Sequence, residues 1–171
     1  MVSGEILNRF DYSQSVLDFL AELERIPWFE NIGKDVSPTA HVEQIHEWQE
    51  WPGPEDSSLD EAGVWQQSLH DEIYSSARDK STQLAELWNR IHTIVFRDAA
   101  PKVPYDPDQD AWHAPSVAVW DAAWAAGLIG LCIYLNRTIP TELQQQWAWF
   151  VQGHWPCGWR GEFPNGKLMI F

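Results

Sequence analysis

Residues 115–136, PSVAVWDAAWAAGLIGLCIYLN, decide the architecture. A helix on a protein surface keeps one polar face, whereas this run is apolar nearly all round, so it reads as the central, most buried helix. Pro115 suits the first turn, where its missing N–H would have no intrahelical partner anyway. The alanines, with Gly127 and Gly130, let neighbouring helices approach closely, and Trp120 and Trp124 stand one turn apart. A run of about 20 apolar residues would also span a membrane. Asp121 within it, the absence of a flanking basic cluster and the acidic remainder of the chain argue for a core helix instead.

Working toward the N-terminus, residues 99–114 carry Pro101, Pro104 and Pro107 among Asp106, Asp108 and Asp110, have no periodicity, and read as a long loop. Before it, Ser58-Leu59-Asp60-Glu61 is a capping box that opens a helical stretch. The stripe runs Ala62, Trp65, Leu69, Ile73, Ala77, then Leu84, Leu87, Trp88, Ile91, Ile94 and Val95. A break is expected at the polar patch 78–82, with Ser81 capping a second helix to about Phe96. Trp51-Pro52-Gly53-Pro54-Glu55-Asp56 is a loop because proline removes a donor and disfavours helix in the residue before it. Thr39–Trp51, with Val42, Ile45 and Trp48 three apart, reads as a helix, an irregular strand being the alternative. The first helix runs from about Ser13 to Ile26, with an Asp11/Gln14 capping box and Pro27 as its stop, followed by one turn closed by Gly33.

Toward the C-terminus, Thr141-Glu142-Leu143-Gln144 opens a helix that turns Leu143, Trp147, Phe150 and Val151 inward and stops at Gly153. Gly158–Phe163 and Lys167–Phe171 then flank Pro164-Asn165-Gly166, a hairpin signal. A lone hairpin is marginal, so it should pack on the helices or recruit a third strand, the Lys34–Val42 region being the candidate. The fold expected is mainly α, about five to six helices around the central helix 115–136 with a C-terminal β-hairpin. The alternative is α+β with a small sheet. At 171 residues a single domain, 1–171, is the natural reading.

The formal charge is −14, and it is uneven: residues 1–80 hold 17 acids against 5 bases, residues 81–171 hold 8 against 6. Between Asp35 and Ala77 there is no lysine or arginine, while Asp35, Glu43, Glu47, Glu50, Glu55, Asp56, Asp60, Glu61, Asp71 and Glu72 accumulate. Such a surface repels nucleic acid and anionic lipid and steers basic partners; the plainer explanation is solubility. Cys132 and Cys157 sit in unrelated contexts, so no disulfide is expected, and Met1–Tyr12 has no basic-then-apolar leader. Both point to the cytoplasm.

Chemistry-bearing patterns are thin. The six histidines contain no His-Glu-x-x-His, and His41 and His46 are five apart, on different faces of a helix, so surface or cap roles fit better than a metal site. Cys157 with His154 three residues earlier has the types for thiol catalysis, but a packed thiol at the start of a hairpin is the simpler reading. Glu47 and Glu50 with Trp48 and Trp51 have the types of a sugar-hydrolase site, and equally those of an exposed acidic segment. No phosphate loop, nucleophile elbow, dinucleotide fingerprint or basic aromatic patch is present, so no cofactor and no nucleic-acid partner are expected.

Of the twelve tryptophans, Trp65, Trp88, Trp120, Trp124 and Trp147 lie on helical stripes and read as core. Trp155 and Trp159 should fasten the hairpin, and Trp48, Trp51 and Trp112 lie in or beside loops. In composition the chain resembles small bacterial immunity or antitoxin proteins: acidic, aromatic-rich and without a catalytic signature. The function expected is capture of a basic protein by the 35–77 face, and the resemblance implies a toxin or effector as that partner. Glu43, Glu47, Trp48, Glu50, Trp51, Glu55 and Asp56 would be its contact residues. The alternatives are an enzyme with a pocket near the 99–114 loop, lined by Asp110, Trp112 and His113, and a homo-oligomeric scaffold built on the terminal strand.

Overall fold

The computed structural model describes residues 12–37, 39–47, 50–51, 59–103 and 114–171, with the backbone alone for Leu59 and Asp60. Among them are five α-helices and a three-stranded sheet: α1 (Gln14–Leu23), β1 (Val42–Gln44), α2 (Leu59–Ser76), α3 (Ser81–Ala99), α4 (Ala114–Tyr134), α5 (Thr141–Phe150), β2 (Pro156–Arg160) and β3 (Lys167–Ile170). The fold is mainly α, with the small sheet at the C-terminal end.

The apolar run is α4, and it is the centre: α1, α2, α3 and α5 all pack on it, and α3 lies along it most extensively. Its length and apolarity would suffice to cross a membrane, but 67 % of its most apolar window is buried inside the fold. The two glycines set how near α3 comes. A Cβ on Gly127 would lie 2.6 Å from the Trp88 ring, and one on Gly130 would run into Ile91. The helix ends in an αL cap: Asn136 has φ +53, Arg137 N–H donates to Cys132 O (2.8 Å) and Asn136 N–H to Ile133 O (3.2 Å). Trp120 corrects the stripe assignment, for it is 54 % exposed and touches Phe96 edge-on at 5.0 Å. On a helix apolar all round, periodicity carries no phase, and only the neighbours decide which indole faces out.

The expected break between α2 and α3 is a 3-10 turn at Arg78–Lys80. Three caps differ from expectation. Ser13 caps α1, its hydroxyl accepting from Val16 N–H at 3.4 Å, while Asp11 lies outside the described residues. Ser81 makes no capping bond because α3 is entered directly from the 3-10 turn. Thr141 is already helical, and Gln144 instead donates to Ile139 O at 2.7 Å. Val151 lies past the end of α5 and is exposed. Gly153, at φ +84, closes that end, and the chain there is tied to the turn after α1: Asn31 N–H donates to Gly153 O (3.0 Å) and Asn31 Nδ2 to Gln152 O (2.6 Å).

Within the segment Thr39–Trp51, read as a helix with an irregular strand as the alternative, Val42–Gln44 is a short strand. β1 runs parallel to β3, Val42 opposite Leu168 and Gln44 opposite Ile170, and β3 is the middle strand of the order β1-β3-β2. Flanking bonds extend the pairing, Leu168 N–H to His41 O (2.9 Å) and Ile45 N–H to Ile170 O (2.7 Å). The open edge of β3 offers ladder bonds that outweigh a weak helical period. The third strand thus begins where the candidate region Lys34–Val42 ends.

The hairpin is also shifted from its predicted register. β2 starts at Pro156 and stops at Arg160, leaving a six-residue loop, 161–166, in place of a tight Asn-Gly turn. Phe163 leaves the strand direction to pack on Trp159 (ring centroids 4.7 Å apart) and Trp65 (5.6 Å). Burial of that ring against two indoles decides where the ladder ends.

Candidate functional site

The acidic segment is partly neutralised from outside. Glu43 on β1 accepts from Arg160 Nε of β2 at 2.7 Å, and Glu72 on α2 accepts from Arg137 Nη2 at 2.7 Å, the αL turn after α4 presenting that arginine. Asp35, Glu47, Glu50, Glu61 and Asp71 are exposed and make no ion pair with a described lysine or arginine. Their carboxylates serve local bonds. Asp35 Oδ1 lies 3.2 Å from His46 Nε2, Glu50 accepts from His46 N–H at 3.3 Å, Asp71 from Gln67 Nε2 at 3.0 Å, and Glu61 from Phe163 N–H at 3.2 Å.

Of the predicted contact residues, Glu43, Glu47, Glu50 and Trp51 are described, whereas Trp48, Glu55 and Asp56 lie outside the described residues. So do Asp110, Trp112 and His113, the residues of the pocket expected near the 99–114 loop. Trp51 is half-buried on the sheet: its Nε1 donates to Cys157 O at 3.3 Å and its ring stands 5.3 Å from that of Trp155. That indole holds its own segment to the fold.

Cys157 is fully buried, its Sγ directed at Met169 O (3.6 Å), and burial and the nearby Asp121 push its thiol far above the ordinary cysteine value. His154 Nδ1 donates to Phe171 O (3.1 Å), and burial lowers its pKa. The two side chains therefore form no thiolate–imidazole pair. His92 is half-buried: its Nδ1 donates to Trp88 O (3.0 Å), and burial lowers its pKa too. His154 and His92 are packed against the fold, whereas His41 and His46 stand at the surface. Among the described residues no three His, Cys, Asp or Glu side chains gather as a metal site.

The structure also builds two features that the sequence reading did not assemble. Between α2, α3 and α4, a half-buried aromatic band joins His70 to Trp88 (ring centroids 4.9 Å apart), Trp88 to His92 (4.4 Å) and to Trp124 (5.0 Å). The second centres on Asp121. Asp121 is half-buried, and its Oδ2 accepts from Trp155 Nε1 at 3.0 Å. Burial raises its pKa to about 7, against the pull of the Trp155 bond in the other direction. A carboxyl poised near neutrality inside a fold is a functional signal. Its sequence trace was one acid in an apolar run, read there only as an argument against a membrane span.

No family model, curated protein or solved structure matches this chain.

Proposed function

We propose that this is a binding protein, of the immunity or antitoxin kind, that captures a basic protein partner through the acidic face formed by residues 35–77. One observation carries the reading: this segment has no positive charge of its own, and Asp35, Glu47, Glu50, Glu61 and Asp71 keep their charge facing solvent. Fields from such a face act over roughly 8–10 Å in physiological salt and raise encounter rates with a basic surface. The two arginine pairs, at Glu43 and Glu72, tie the segment to the fold and leave Asp35, Glu47, Glu50, Glu61 and Asp71 without a described lysine or arginine partner. Two buried cysteines, both free thiols, support placing the protein in a reducing compartment such as the cytoplasm.

The test is association with the product of the adjacent reading frame, followed by stopped flow at about 50 mM and about 300 mM salt. The expected association rate falls at least about tenfold between the two, with dissociation little changed. A chain carrying Asp35→Asn, Glu47→Gln, Glu61→Gln and Asp71→Asn should show the slow rate already at low salt. No association, or a rate indifferent to salt and to these substitutions, would overturn the reading.

A further inference from the structure

Beside Asp121 a cavity of about 610 Å³ opens between α2, α4 and α5, lined by Ala62, Gly63, Val64, Gln66, Asp121 and Gln146 among others. Gln66 and Gln146 are more than nine-tenths buried and bond to each other, Nε2 of the first donating to Oε1 of the second at 3.2 Å. Asp121 Oδ2 is taken by Trp155. What remains for the cavity is Asp121 Oδ1, one glutamine carbonyl, one glutamine amino group and the second N–H of the bonded amide, none of them bonded to a described residue. Exchanging O and N in both amides leaves the same remainder, one free carbonyl with one free amino group and a spare N–H, so it does not depend on how the amides are turned. Gly63 opens the wall further, since a Cβ there would meet nothing within 4 Å.

We infer that this cavity is a binding site for an organic cation, an alkylammonium or guanidinium group whose N–H donors reach Asp121 Oδ1 and the free glutamine carbonyl while its alkyl part lies on Ala62 and Val64. The chemistry selects the sign and the donors. The carboxylate disfavours anions, and Asp121 Oδ1 with the free glutamine carbonyl offers a cation's N–H groups two acceptors. A half-buried carboxylate is favoured in its charged form by a neighbouring cation, so ligand and site stabilise each other. The charge of −14 enriches cations around the chain. A bound cation would draw Asp121 into its ionised form. The inference stands apart from charge capture by the 35–77 face, because a free small amine would fill the site with no protein partner present.

The experiment follows the Trp155 Nε1–H resonance of the ¹⁵N-labelled full chain at neutral pH and constant ionic strength. The titrants are n-butylammonium, n-butylguanidinium and, as the neutral control, n-butanol. A saturable shift with the two cations at roughly millimolar affinity, as ligands this small allow, and none with butanol is the expected result. Asp121→Asn keeps an acceptor for Trp155 and should abolish the response; Gly63→Leu fills the wall without removing a polar group and should weaken it at least tenfold. N-acetyl-Gly-Lys-Gly-amide separates the sources of the cation. Binding as tight as butylammonium marks a socket for a partner's side chain, and binding tenfold weaker or less marks a small-molecule site. No saturable shift with either cation, an equal shift with butanol, or an undiminished shift in Asp121→Asn would overturn the inference.

Discussion

Replacing Asp121 by asparagine should stabilise this protein, and the gain should depend on pH in a defined way. Asparagine has nearly the same shape, and its carbonyl can accept the Trp155 indole N–H as Oδ2 does. What it removes is a carboxyl whose pKa is about 7 in the fold against an ordinary 3.8. Because the folded form holds its proton more tightly than the unfolded chain, wild-type stability on this account falls as pH rises from about 4 to about 7 and is level above that. At 1.36 kcal/mol per pH unit, the full cost above neutrality is at most about 4 kcal/mol, a large share of a typical total stability. Wild-type data alone would mix this with His92 and His154. Burial lowers both, so their contribution runs the other way and grows as pH rises toward the ordinary histidine range. The difference between variant and wild type cancels them. Urea unfolding of both chains from about pH 5.5 to about 8.5, above the sequence pI near 4.6, should give an advantage for the variant that grows by about 2 kcal/mol up to pH 7 and then levels off. A difference that stays flat across that range, or a variant less stable than wild type at the alkaline end, would refute the claim that burial of this carboxyl is uncompensated.

Gly127→Ala should cost about 1–3 kcal/mol, since the new Cβ would lie 2.6 Å from the Trp88 ring, which is packed by His70, His92 and Trp124. Gly63→Ala, also inside a helix but facing open space, should gain about 0.5–1 kcal/mol, so thermal melts of the two glycine variants should move in opposite directions. Gln66→Leu and Gln146→Leu should each cost about 1–3 kcal/mol by stranding the partner amide, and the double variant less than the sum, as a double-mutant cycle in urea would measure. Cys132 and Cys157 are both buried with pKa values raised by burial, so a thiol reagent at mildly alkaline pH should label neither until denaturant is added.

The helices were legible because each carries its own record. Val16, Phe19, Leu20 and Leu23 recur at helical spacing and are all buried, and so are Leu84, Leu87, Ile91 and Val95. β1 was not legible: three residues hold no usable period, and what makes Val42–Gln44 a strand is the open edge of β3, far along the chain. The candidate site shows the same division. The charge of the 35–77 segment could be counted, but its neutralisation at Glu43 and Glu72 depends on Arg160 and Arg137, brought in by β2 and by the turn after α4. Trp51 had the residue type of an exposed anchor; the fold binds its N–H to Cys157.

By itself the sequence determined that this chain buries the run 115–136 at its centre, builds helices on either side, ends in a sheet and carries its negative charge in one stretch. These follow from composition and from periods written within contiguous residues. Only the tertiary structure decided which indole of α4 faces out, where the third strand lies, and that Asp121 meets Trp155 and lines a cavity with a glutamine pair. Each of those depends on residues from separate elements meeting in space, and a burial cost exists only once they have met.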